Sequence, residues 1–193
     1  EDGHMAEASS QIVIGQVPEA VLGEGNATSN QYPFYNYYKA NRSQMLYLAS
    51  ELGAGEKTIT EIGFNITRPG SQYNALPNFK ILIKPTTMTQ VPSAFTDMSD
   101  ATEVFSAAVY TMPTVNGWHS WEIEHFEYDG ESNLLIEIVW GQLANWTSTF
   151  YQVASTVMPN NMVAYGFSDT MIVPNFNGVS STRPNLYIDF AAE

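Results

Sequence analysis

Cysteine is absent from the 193-residue chain, which removes disulfides, thiolate metal sites and cysteine nucleophiles together. Positive charge is scarce. Seven Lys and Arg stand against twenty Asp and Glu, a formal net charge of −13, and a surface of that sign repels phosphate backbones and anionic lipid. Nucleic acid is therefore not an expected partner. No apolar run reaches the roughly 18 residues of a membrane-spanning helix, so membrane insertion is not expected either. Charge of either sign is thin, at 14% of residues against roughly a quarter in an average soluble domain. Sequence signatures of chemistry are missing as well: there is no Gly-x-Ser-x-Gly, His-Glu-x-x-His, Walker loop or EF-hand loop. The expectation is a protein that is not an enzyme.

Hydrophobic residues, at 44%, suffice for a sizeable core, and the length fits one domain. The opening Glu1-Asp2-Gly3-His4-Met5 reads as an expression-tag remnant, leaving 6–193 as a single module, expected to be cut from a longer protein. Apolar residues recur at period two rather than at helical spacing. Ile62, Phe64 and Ile66 share one face, as do Phe79, Ile81 and Ile83, although Leu82 makes the opposite face of that strand mixed. Trp121 and Ile123 alternate with Glu122 and Glu124, the run 133–140 places Leu134, Ile136, Ile138 and Trp140 together, and Leu186, Ile188 and Phe190 close the series. Further strands are expected at Gln11–Ile14, Gln44–Ala49, Val104–Tyr110, Phe150–Ala154, Met162–Phe167 and Met171–Val173. Only Glu19–Leu22 and Ala94–Asp100 suggest single helical turns. Short strands separated by Arg68-Pro69-Gly70, Asn116-Gly117, Asp129-Gly130 and Asn177-Gly178 predict an all-β fold: an antiparallel two-sheet β-sandwich, jelly-roll-like.

Several blocks also carry a resemblance. Asn41 to Leu52, Ile59 to Asn65, Asn78 to Lys84, Gly117-Trp118, Phe126 to Glu137 and Arg183 to Leu186, in that order, resemble a β-sandwich module of large secreted bacterial surface proteins, of the kind found beside fibronectin type III or PKD-like domains and type IX secretion signals. The resemblance runs from about Ile12 to Phe190, and the sequence departs from the pattern at Phe176–Ser181. The shared blocks look structural: Asp129-Gly130 as a tight turn, Gly117-Trp118 as a strand start with an apolar anchor, and Arg183-Pro184-Asn185 as the lead into the last strand. The resemblance implies an extracellular or cell-surface location.

The titratable residues give little. His119 and His125, six apart on a strand, are expected about 20 Å apart, too far to share a metal. Glu122 and Glu124 lie at a spacing compatible with paired glycosidase carboxylates, but a solvated strand face accounts for them. Gly23-Glu24-Gly25 reads as a loop, and the sequons at Asn26, Asn41, Asn65 and Asn145 are what chance gives in a chain rich in Asn, Ser and Thr. Asp97, Asp100 and Glu103, in an oxygen-dense stretch, are the candidates for a structural Ca2+, with helix capping as the competing role.

Aromatic residues are the richest signal. Tyr32, Phe34, Tyr35, Tyr37 and Tyr38 crowd into seven positions, and Trp140, Trp146, Phe150 and Tyr151 form a second group. Aromatic faces stack on sugar rings and anchor protein interfaces. Tyr35, Tyr37, Trp140, Trp146 and Tyr151 are accordingly the expected ligand-binding residues, with a glycan or another surface protein as partner. The expected function is non-catalytic adhesion, with carbohydrate recognition as one form of it. The alternative is a structural subunit that self-associates into an extracellular fibre, tube or surface layer, donating Gln11–Ile14 to a neighbour's sheet edge.

Overall fold

The computed structural model describes residues 20–192; the tag-like opening, the expected strand Gln11–Ile14 and Glu19 lie outside them. The chain runs β1 (Ala20–Leu22), β2 (Ala27–Ser29), β3 (Ala40–Tyr47), α1 (Ala49–Leu52), β4 (Lys57–Arg68), β5 (Ala75–Thr86), β6 (Thr102–Thr111), β7 (Gly117–Tyr128), β8 (Asn133–Gly141), β9 (Gln152–Val157), β10 (Val163–Ser168), β11 (Gly178–Ser180), β12 (Thr182–Pro184) and β13 (Leu186–Phe190). Every strand pairing is antiparallel. The expected all-β, two-sheet sandwich is what the chain forms.

One sheet has the order β11-β10-β3-β8-β5-β6. In the other, β2, β9, β4 and β7 lie side by side, and the run β12–β13 wedges between β9 and β4. Thr182–Pro184 pair with Val157–Ser155, and Leu186–Phe190 then pair with Phe64–Ile59. β1 adds outside β13. Between β3 and β10 the chain passes repeatedly from one sheet to the other.

The core follows the period-two pattern. Ile62, Phe64 and Ile66 from one sheet meet Phe79, Ile81, Ile83, Leu134, Ile136, Ile138 and Trp140 from the other, all essentially without solvent exposure. Trp121 stacks on Phe79 (centroids 5.8 Å apart) and on Phe34 (5.6 Å) at its centre. Trp118 is not the anchor the sequence suggests: it lies exposed on the outer side, near Tyr187.

A second apolar cluster covers the opposite face of the six-stranded sheet. Leu46, Leu135, Met162 and Ala164 pack under Val91 and Met98, with Leu82, Met88 and Phe95 around them. The connection from β5 to β6 therefore roofs the sheet, and β8 is buried on both faces. Buried polar pairing accompanies it: Arg42 Nε reaches Glu137 Oε1 at 2.5 Å, and Gln44 exchanges hydrogen bonds with both backbone groups of Thr96. The stretch Ala94–Asp100, expected as a helical turn, is part of this roof and irregular, with a turn at Ser99–Asp100; Ala20–Leu22 is strand, not helix. Among the described residues the helical turn is α1, which falls just after β3, where Glu51 Oε2 accepts the Leu48 N–H at 2.9 Å. Met171–Val173 form no strand and are exposed. Their segment crosses close to two glycines, since a Cβ at Gly141 or Gly166 would collide with the carbonyl oxygen of Ile172 or Asn175.

Arg183 on β12 has no exposed surface. Its Nη1 and Nη2 bond Glu51 at 2.7 and 2.5 Å, Nη1 also donates to Leu46 O at 3.1 Å, and the guanidinium lies over the Tyr47 ring at 4.5 Å. Burial alone would raise the Glu51 carboxyl, but the Arg183 and Leu48 hydrogen bonds and the Arg183 charge hold it below its ordinary value. Glu51→Ala, which strands a wholly buried cation, is expected to cost about 3–5 kcal/mol in urea unfolding followed by tryptophan fluorescence. Arg183→Met should cost less, because the carboxylate it leaves behind still reaches water. Since the folded pKa is depressed, this stabilisation is present above the unfolded value of about 4.3 and lost as pH falls through the folded value. Glu51→Ala should flatten that acid limb, and an unchanged acid limb would refute the assignment.

Candidate functional site

One end of the sandwich is built from the segments before β3 (30–39), after β4 (69–74), between β8 and β9 (142–151) and after β10 (169–177), because Ala40 pairs with both Gly141 and Ser168, and Arg68 with Gln152. Aromatic side chains from these segments make one surface. Tyr37 meets Trp146 with centroids 5.3 Å apart and planes at 61°, Tyr35 stacks beneath Tyr37 at 5.8 Å, and Phe150 meets Tyr35 edge-on at 5.0 Å. Tyr38 stacks on Phe167 at 4.3 Å. Tyr37 is 39% exposed and Trp146 47%, while Tyr35, Tyr38, Phe150 and Phe167 are partly covered.

Buried amides hold this surface in place. Asn36, fully buried, accepts the Tyr151 N–H at 3.3 Å and donates to the carbonyls of Gln72 and Tyr73; its own carbonyl accepts the Thr147 N–H at 3.1 Å. Asn41, equally buried, accepts the Tyr35 N–H and donates to Gln31 O and Gly166 O. Arg68 donates to Phe150 O at 2.9 Å and places its guanidinium 4.4 Å from the Phe150 ring. Each amide satisfies backbone groups that would otherwise be orphaned by loop geometry.

Of the five expected ligand-binding residues, the structure brings Tyr35, Tyr37 and Trp146 together and assigns the other two elsewhere. Trp140 has no exposed surface and donates its Nε1–H to Pro33 O at 3.0 Å; Tyr151 is 1% exposed and donates to Pro113 O at 2.7 Å, with burial pushing its hydroxyl up to about 12. Both pack beneath the site and offer no face to a ligand. Tyr38 and Phe150 belong to the surface, and so does Phe167, whose place in the sequence, inside a strand far from the tyrosine cluster, gave no sign of it. Burial raises the Tyr35 hydroxyl, with the neighbouring Tyr38 and Tyr37 adding to the shift.

The three carboxylates considered for calcium are not brought to a common point. Asp97 accepts from the Ser99 backbone and hydroxyl, Asp100 pairs with Lys84 at 2.7 Å, and Glu103 with Lys80 at 3.6 Å. Among the described residues no group of three or more His, Asp and Glu is arranged to hold a metal. The Ser99 hydrogen bonds hold the Asp97 carboxyl below its ordinary value and the Lys84 bond does the same for Asp100. His119 is half-buried, within 2.6 Å of the Tyr110 hydroxyl and edge-on to Trp121, and desolvation lowers its pKa. His125 is exposed.

Comparison with family models, curated proteins and solved structures finds no match to this chain.

Two outcomes follow from this geometry. Asn36→Ala should lower stability by about 1–3 kcal/mol, because it orphans buried backbone groups, and should broaden amide resonances across 35–38 and 146–151; unaltered stability would show that Asn36 does not hold the loops. If calcium is structural at the 97–103 segment, a chelator should lower the melting temperature, and an unchanged melt would remove that role.

Proposed function

We propose that the chain is a non-catalytic binding module of a secreted or cell-surface bacterial protein, and that it takes carbohydrate on the surface formed by Tyr37 and Trp146 over Tyr35. One observation carries this reading: two half-exposed rings in mutual contact stand on loops fixed by buried amides. A sugar ring has an apolar C–H face that stacks on an aromatic plane, and its hydroxyls need neutral donors and acceptors at the margin. Asn145 and the Tyr73 hydroxyl, bonded to each other at 3.2 Å, supply these beside Trp146. Loops already held in place lose little further freedom on binding, so more of the contact energy appears as affinity.

The architecture agrees. The side-by-side orders β2-β9-β4-β7 and β3-β8-β5-β6, with the chain alternating between sheets, support a jelly-roll-like winding, an arrangement used by lectin domains among others. A shared fold does not carry function, which here rests on the rings and the loops that hold them.

Glycan arrays and insoluble-polysaccharide pull-downs test the reading directly. Trp146→Ala and Tyr37→Ala should each weaken retention about tenfold or more with little change in melting temperature, since both side chains are largely outside the core. Trp118→Ala, at an equally exposed tryptophan on another face, should leave retention intact. Blank arrays, or retention indifferent to Tyr37 and Trp146, would overturn it.

A further inference from the structure

β6 and β7 follow one another in the chain but close opposite sheets. Among the described residues, β6 pairs only with β5 and β7 only with β4, so both carry unpaired backbone N–H and C=O groups along one side of the sandwich. The Tyr110–His119 hydrogen bond joins them near their turn. Between them lies a groove of about 820 Å³, lined by Glu103, Val104, Phe105 and Ser106 on one side and Glu122, Ile123, Glu124 and His125 on the other. Here β7 bulges: Phe126 pairs with Ile59 and Glu122 with Glu61, so four steps of β7 span two of β4, a device that re-aims side chains.

Two further features point to an occupant. The ten residues of β6 contain neither Lys nor Pro, the usual protections of a long free edge. The lining is also acidic, with only Glu103 of its carboxylates in an ion pair among the described residues. β6 and β7 together contain Glu103, Glu122, Glu124 and Glu127 and no Lys or Arg. Glu122 stands directly across from Glu61 in the strand register, and like charges so placed cost stability. Glu103 has Lys80 at 3.6 Å, but none of Glu61, Glu122 and Glu124 has an ion-pair partner among the described residues.

We infer that this groove docks an extended segment of a partner protein, added as a strand along the free edge of β6, in which apolar residues alternate with Lys or Arg. A period of two sends the apolar side chains onto Val104, Phe105 and Ile123 and turns the basic ones to the Glu103 face of β6, with Glu122 and Glu124 on the opposite wall of the groove. Charge separates this occupant from a donated strand of the same protein. Residues 6–19 contain Glu7 and Glu19 and no Lys or Arg, so a copy's N-terminal segment brings no positive charge to these carboxylates.

The test uses the full chain and a synthetic ten-residue peptide of alternating Val and Lys, followed by isothermal titration and by amide chemical shifts. Saturable binding that perturbs β6 and β7 amides, weakens about tenfold in the exposed-site triple variant Glu103→Gln, Glu122→Gln, Glu124→Gln, and disappears for an N-methylated version of the same peptide is the expected result. Unaltered binding by the N-methylated peptide would show simple charge attraction and refute strand addition. Binding indifferent to the triple variant, absence of binding, or concentration-dependent self-association through β6 without the peptide would each overturn the proposal. Trp146→Ala leaves this binding unchanged, which keeps the groove separable from the aromatic surface.

Discussion

The two sheets are fastened by a cation with nowhere else to go. Arg183 sits where the last run of chain changes partners, bonded to β9 before Asn185 and to β4 after it. At the change itself Asn185 donates to Gly25 O and accepts from Thr156. A guanidinium desolvated at that point is tolerable only with a carboxylate and further acceptors fixed around it. Glu51 and the Leu46 carbonyl, both from the segment that leaves the other sheet, meet that need. The run β12–β13 thus completes one sheet and, through Arg183 on β12, ties it to the segment leaving the other.

That framework explains why the aromatic surface can be rigid although every one of its segments is loop or strand end. Asn36 and Asn41 do in the loops what a ladder does in a sheet, taking up the backbone groups that irregular chain leaves open. The rings above them are then free to face outward without loosening what lies below. The groove between β6 and β7 is the opposite case, a place where two ladders simply stop.

Period-two alternation was readable wherever one face of a strand meets the central core: on β4, β5, β8 and β13 the alternation names the inward residues correctly, because that burial follows from local pleating. Burial by distant chain left no such mark. Leu135 on β8 is covered by a connection that starts beyond β5, and Glu137 is joined to that connection through Arg42 and Gln44, while nothing in their own neighbourhood announces a roof. The same limit misdirected the aromatic residues. Trp118 and Trp121, three apart on one strand, go to opposite sides as alternation requires, but Trp140 and Tyr151 look like partners of Trp146 and are its foundations. Arg183, Glu51 and Asn36 carried no signal of burial, since their composition class is normally found in water. Ile172 and Val173 have the β-branched character of a strand, yet their segment runs against the backbone of Gly141 and Gly166 without forming a ladder there.

The pairing of β1 with β13 has a geometric corollary. Ala20 lies beside Ile188, and Ala191 donates to Thr58 O at the start of β4, whereas the exposed tyrosine and tryptophan stand past the far end of that strand. Whatever is joined to either end of the described fold, whether a neighbouring domain, a surface or a label, attaches at the pole opposite those rings. Held at Ala20 or at Ala191, the described fold turns its aromatic end away from the point of attachment.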